Sequence, residues 1–170
     1  RVRLEFIVPA RGLIGFRSQF LTMTSGSGIM THIFDHYGPV TTAVLAARQN
    51  GVLVSMVTGK SLAYALHALQ ERGRLFLDPN IQVYEGQIVG LHSRGNDLVV
   101  NPTKAKQLTN VRASGTDEAL TLSPPVKHTL EQALEFIEED ELVEVTPESI
   151  RLRKKWLLEH ERKRASRSAA

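Results

Sequence analysis

Val2, Leu4, Phe6 and Val8 alternate with Arg1, Arg3 and Glu5. Alternation with a period of two predicts a half-buried strand, which Pro9 stops. Leu13, Phe16, Phe20 and Met23 then recur at helical spacing with Ile14 and Leu21 beside them, and Gly26 ends the run. Gly26-Ser27-Gly28 reads as a turn and residues 29–37 as a second strand. Strand, helix and strand within fewer than 40 residues make half of a ferredoxin-like sandwich. Half a sandwich leaves a sheet edge uncovered, and an uncovered edge invites self-association.

Gly38-Pro39 marks a boundary, so the pattern divides the chain into residues 1–40 and 41–170. After Asn50-Gly51, the run VLVSMV predicts a short buried strand. Leu62, Ala65, Leu66 and Leu69 form a helical stripe, closed by a C-terminal cap at Arg72-Gly73. Residues 74–77 and 82–92 are strand-like, with turns at Pro79-Asn80 and Glu85-Gly86. Residues 97–100 and 120–122 read as strands that bracket a long polar loop. Thr129 and Gln132 have capping-box spacing ahead of an apolar face of Leu130, Ala133, Leu134 and Ile137. Acids crowd residues 138–141, at the end where the helix dipole disfavours them. That helix should end early or find basic neighbours. Residues 142–145 and 150–156 suggest a closing hairpin, followed by a polar helix. The expected class is α+β: a partial ferredoxin-like half-sandwich, then a mixed α/β C-terminal domain with a long basic loop.

At 170 residues, with ordinary apolar and charged fractions, the chain can bury a real core. It has no run of about 18 apolar residues, so no membrane span is expected. It has no cysteine, which excludes disulfides and thiolate-held zinc and fits a reducing cytoplasm. Without a starting Met, it is expected to be part of something longer. The net charge is only +3, but it is unevenly spread. Residues 1–130 carry 13 basic and 8 acidic side chains, residues 131–150 carry 8 acids and no base, and residues 151–170 carry 8 bases and 2 acids. Such asymmetry points to one surface that faces a polyanion.

The candidate chemistry lies in the loop and the basic terminus. Residues 98–116 hold Lys104, Lys106 and Arg112 and no acid, among amides and hydroxyls. These donors suit phosphates and ribose hydroxyls. The plain alternative is a solvated surface loop. With few apolar anchors, the loop is expected to be poorly ordered until RNA binds it. Arg94 sits in the Ser-Arg-Gly-Asn turn that precedes the loop. Arg151, Arg153 and Lys155 fall on one face of the last strand, and Arg162, Lys163 and Arg164 follow on the helix with Trp156 nearby. Rows of cations with an aromatic are the footprint of phosphate contact. The same residues could instead neutralise the acidic segment within the fold.

Gly59-Lys60-Ser61 copies the end of a P-loop, but Val54 stands where that motif needs its first glycine, so the reading there is a turn and cap opening the next helix. Asp35 and His36, as neighbours on a strand, would face opposite sides. No G-x-S-x-G, helical histidine pair or metal set occurs, so no catalytic or metal-binding residue is assigned.

The chain closely resembles the BipA/TypA family of ribosome-associated translational GTPases. IVPARGLIGFRSQFLTMTSGSG followed by FDHY resembles the second half of an elongation-factor-G-type domain V. RQNGVLVS, GKSLAYALHALQERGRLFL, VYEGQIVGLHSRGNDLVVN, QLTNVRASGTDEA and TLEQALEFIEEDELVEVTPESIRLRK resemble the C-terminal domain particular to that family. The resemblance implies a cytoplasmic module that docks on the ribosome near the 50S A site. It would touch 23S rRNA and the acceptor arm of A-site tRNA through a basic loop matching residues 96–117. It also implies roles in 50S assembly and stress-related translation. GTP and Mg would be handled by a G domain absent here, so this chain itself has no cofactor and is no enzyme. The alternative is a protein–protein scaffold without RNA contact.

Overall fold

The computed structural model describes residues 2–14, 16–40, 48–106 and 120–169. Its sheet is laid around β5 (Gln87–His92). One edge of β5 pairs antiparallel with β1 (Val52–Ser55), with a register shift between Leu53 and Val54. The other edge is shared. Gln87 and Ile88 face Arg153 and Leu152 of β8 (Ile150–Lys154), while Gly90, Leu91 and His92 face β3 (Gly73–Leu75). β6 (Leu98–Val100) adds parallel to β1, and β7 (Glu141–Val145) adds antiparallel to β8. The strand order is therefore β6-β1-β5-β8-β7. A separate ribbon pairs β2 (Gly59–Lys60) with β4 (Gln82–Val83).

β1 is buried along its whole length because helices cover both of its faces. Successive side chains of a strand point to opposite faces, so a strand covered on both sides reads as an unbroken apolar run. Leu53 packs with Leu66 of α2 (Ala63–Leu69), Leu75, Val83 and Val89. Val52 and Val54 pack on the opposite side with Ile88, Leu152 and Ala133 of α3 (Leu130–Phe136). α3 opens on the capping box its sequence predicts: the Gln132 N–H donates to Thr129 Oγ1 at 3.3 Å, and the Thr129 N–H donates to Gln132 Oε1 at 3.0 Å. The closing hairpin and the terminal helix α4 (Glu159–Ala169) also lie where the pattern predicts them. Among the described residues, no helix is long and apolar enough to cross a membrane.

The α+β class is as expected, but several local expectations change. Near the N-terminus, a 3₁₀ turn (Ala10–Leu13) and α1 (Phe16–Met23) match the helical stripe. Residues 2–9 and 29–37, expected as strands, enter no ladder. A strand needs a partner for its backbone groups, and here neither segment pairs with the other. Their apolar side chains stand exposed, among them Phe6, Ile33 and Tyr37. Because residues 29–37 are not a strand, Asp35 and His36 do meet, with Oδ2 and Nδ1 2.6 Å apart. Gly73 does not cap α2; it opens β3, where a β-carbon would stand 1.8 Å from the Leu91 carbonyl oxygen. Gly59 and Lys60 are strand rather than turn, and α2 begins after Leu62 without a side-chain cap. Residues 120–122 form no strand. They are tied instead through Gln70, which donates to the Thr121 carbonyl and accepts from the Ser123 N–H.

Leu53→Ala should lower unfolding stability by about 2–5 kcal/mol, because it empties a fully buried site on the face of the sheet that α2 covers. Phe6→Ala should change it by no more than about 0.5 kcal/mol, because that ring is largely exposed. Urea titrations of the two variants test the contrast.

Candidate nucleic-acid interface

The register places the ends of four strands together. Val54 lies level with Val99 and Ile88, and Gln87 with Arg153. Three hydrogen bonds bind that end: Met56 N–H to the Val100 carbonyl at 2.9 Å, Gly86 N–H to the Ser55 carbonyl at 2.9 Å, and Lys154 N–H to the Gly86 carbonyl at 2.9 Å. The chain leaves β6 toward the basic loop, and leaves β8 toward α4, at this one end. With three strand spacings between them, the two departure points stand about 14 Å apart.

The loop's foot is fixed rather than loose. Pro102 is buried, and its carbonyl accepts the Leu62 N–H at 2.9 Å. Asn101 Oδ1 accepts both the N–H and the hydroxyl of Thr103 at 2.9 Å, a turn typical of asparagine. The segment expected to be unordered from residue 98 is therefore anchored as far as Thr103. Lys104 and Lys106 follow, both exposed. Arg112 lies outside the described residues, as does the rest of the loop, residues 107–119.

The second arm starts at Lys155, which is exposed, with Nζ 5.2 Å from the centre of the Trp156 ring. Gly86 lets this arm leave the sheet. It has φ +85°, and a β-carbon there would stand 2.6 Å from Leu157 Cα. The Glu85 carboxylate then accepts the Glu159 N–H at 3.3 Å at the start of α4. Arg162 is turned inward, donating to the carbonyls of Trp156 and Leu157. Lys163 pairs with Glu159 at 2.6 Å but stays exposed, and Arg164 is exposed.

The remaining predicted cations lie elsewhere. Arg94 is in the turn between β5 and β6, at the opposite end of the sheet from the loop's foot. Arg151 and Arg153 are half-buried on β8, on the face away from Leu152 and Lys154. Arg151 approaches Glu144 at 3.8 Å, and Glu144 also accepts the Tyr84 hydroxyl. Burial, followed by that bond to Glu144, raises the Tyr84 pKa, so the phenol stays protonated at neutral pH.

The acidic segment is neutralised mainly by two residues that the sequence pattern did not single out. Glu141, with its side chain fully buried, takes two hydrogen bonds of 2.8 Å from Arg48 and lies 3.0 Å from Lys154 Nζ. Lys154, 3 % exposed, also contacts Asp97 at 2.6 Å and Asp140 at 2.8 Å. Burial alone would raise the Glu141 pKa, but the Arg48 hydrogen bonds and the Lys154 charge outweigh it and hold the group below the usual carboxylate range. Arg48 also donates to the Phe136 carbonyl, the last of α3, at 2.9 Å. The helix thus ends before its acids and still finds its basic neighbour. Glu138, Asp140 and Glu141 converge closely enough to hold a metal ion, but Arg48 and Lys154 already supply the countercharge.

Lys60 belongs to the sequence that copies the end of a P-loop. The fold places Lys60 in β2, exposed, beside the loop's foot: a β-carbon at the adjoining Gly59 would stand 3.2 Å from Thr103 Cγ2. The Ser61 hydroxyl donates to the Asp78 carbonyl at 2.9 Å and accepts the Ile81 N–H at 3.1 Å, so it is committed to the turn.

Two family models match the chain. The TypA/BipA C-terminal domain matches residues 50–159, and the Elongation factor G C-terminus matches residues 1–48. The chain is 62% identical to the large ribosomal subunit assembly factor BipA of Haemophilus influenzae, over 99% of this chain and 27% of that protein. It is 60% identical to the protein of the same name in Escherichia coli strain K12, over 99% of this chain and 28% of the relative. With the protein of that name in Buchnera aphidicola subsp. Schizaphis graminum the identity is 56%, over 98% of this chain and 27% of the relative. The chain spans little more than a quarter of the length of these curated relatives.

Glu141→Gln should cost about 3–5 kcal/mol at neutral pH, because it leaves Arg48 and Lys154 buried without their shared anion. Glu141 has a lowered native pKa, so its stabilisation is present above the ordinary carboxylate range and is lost as pH falls through the native value. The gap between variant and wild type should therefore narrow in acid, as read from urea midpoints at neutral pH and at pH values below that range.

Proposed function

The chain belongs to the TypA/BipA family, and from that membership we propose that it is the module that holds such a protein on the large ribosomal subunit by gripping RNA. The observation that carries this reading is the shared sheet end from which two cationic arms depart. One arm bears Lys104, Lys106 and Arg112, and the other Lys155, Lys163 and Arg164. Two arms that leave the sheet about 14 Å apart can bracket a backbone rather than meet it at a single point. The contacted RNAs are 23S rRNA and the acceptor arm of A-site tRNA, and the setting is 50S assembly in the cytoplasm together with translation under stress. Arg151, Arg153 and Arg162 are weaker candidates, because they already serve the fold.

GTP and Mg belong to a G domain outside this chain. The residues present do not fit the nucleotide: Val54 is buried in β1, Lys60 lies in a strand, and the Ser61 hydroxyl is committed. A second reading, a docking face for protein, is favoured by the exposed apolar residues of 2–8 and 29–37. It concerns a different surface and can hold alongside the first.

Replacing Lys104, Lys106 and Arg112 together with Glu should weaken binding to purified 50S subunits. It should also flatten the dependence of log K on log salt, by about 0.7–0.9 for each phosphate left without its cation. Thermal stability should change little, since charges carried on a polar loop contribute little to folding. Sedimentation binding across a salt series is the measurement. A variant that binds like wild type at every salt concentration would remove the loop from the interface.

A further inference from the structure

The helix whose entry is hydrogen-bonded to the loop's foot carries an aromatic that no motif marks. Tyr64 stands in the first turn of α2 and is 40 % exposed. The stripe that α2 buries is Ala65 and Leu66, with Leu69 packed against the same core, so Tyr64 is not part of the core. Side chains in a helix lean back toward its N-terminus. Leu62, two residues before Tyr64, holds the Pro102 carbonyl with its N–H, and Lys60 lies four residues before it in β2. Among the described residues neither Lys60 nor Lys104 forms an ion pair. Asp78, whose carbonyl accepts the Ser61 hydroxyl, pairs through its carboxylate with Lys127 at 3.6 Å.

We propose that Tyr64 and Lys60 extend the RNA interface at the foot of the loop. Tyr64 is a stacking platform for one unpaired base, and Lys60 joins Lys104 in holding the phosphates beside it. A ring and cations exposed on adjoining segments are the means by which proteins take single-stranded nucleotides without reading their sequence. A phenol ring also suits this task better than a longer aliphatic side chain, since it offers a flat face at little entropic cost. This inference rests on the RNA-binding reading of the loop and adds to it the recognition of an unstacked base.

The test is binding of the chain to purified 50S subunits by sedimentation over a salt series, with Tyr64→Ala, Tyr64→Phe, Lys60→Gln and the triple loop variant side by side. Thermal melts check that each variant folds. Tyr64→Ala should lose about five- to a hundredfold in affinity, while Tyr64→Phe, which keeps the ring face, should bind within about twofold of wild type. Lys60→Gln should reduce the salt slope by nearly one. Ultraviolet cross-linking of the wild-type complex should attach a nucleotide to the peptide that carries Tyr64. If the triple loop variant loses binding while the Tyr64 and Lys60 variants do not, the inference is overturned and the loop reading stands. If the triple variant also binds like wild type, both fall. Equal losses for Tyr64→Phe and Tyr64→Ala would overturn the stacking role, since the hydroxyl rather than the ring would then be the contact.

Discussion

A fully buried carboxylate organises this fold. Glu141 is out of water at the start of β7, and an ion so placed is costly unless it is paired and fully hydrogen-bonded. Arg48 and Lys154 meet that demand, and Asp97 and Asp140 balance the second of them in turn. The consequence is positional. Arg48 lies just ahead of β1, Asp97 at the entry to β6, and Lys154 at the end of β8. One set of charge contacts therefore fixes the approach to both arms of the candidate interface. Asp97 contributes twice, since its other carboxylate oxygen accepts the Val52 N–H at 2.9 Å.

This arrangement also sorts the charges. The chain is acidic and basic in adjoining blocks, and a simple pairing of the blocks would have consumed the cations of residues 151–164. Instead, the most deeply buried acid is satisfied by Arg48, from far away in sequence, and by Lys154, the lysine of β8 that points inward. Lys155, Lys163 and Arg164 remain exposed as a result. The same logic holds at the foot of the loop, where Pro102 and Asn101 fix the backbone and Lys104 stands exposed just beyond them.

The N-terminal segment illustrates the opposite situation. Residues 2–9 and 29–37 have strand patterning and no ladder. Alternation records which face of a strand is to be buried, but it does not supply the neighbour that buries it. The helix between them forms because its hydrogen bonds close within the segment itself.

The sequence by itself determined the elements whose bonds are local or whose burial is continuous. These include the β1 run, the α3 capping box, the β7–β8 hairpin, the terminal helix and the distinctive words that mark the family. It also marked the loop and the basic terminus as the places of interest. Only the tertiary structure decided which cations are structural and which are exposed. Lys154 and Lys155 are adjacent and chemically alike, yet one is buried in the acidic cluster and the other faces solvent, because β8 ends at Lys154 and Lys155 begins the turn that leaves the sheet. It alone revealed Arg48 as the partner of an acid 93 residues away. It also brought β2 and the start of α2 against the foot of the loop and set Arg94 at the far end of the sheet. Charge and composition are properties of the chain, but the countercharge that a residue meets depends on register and on the crossing of strands distant in sequence.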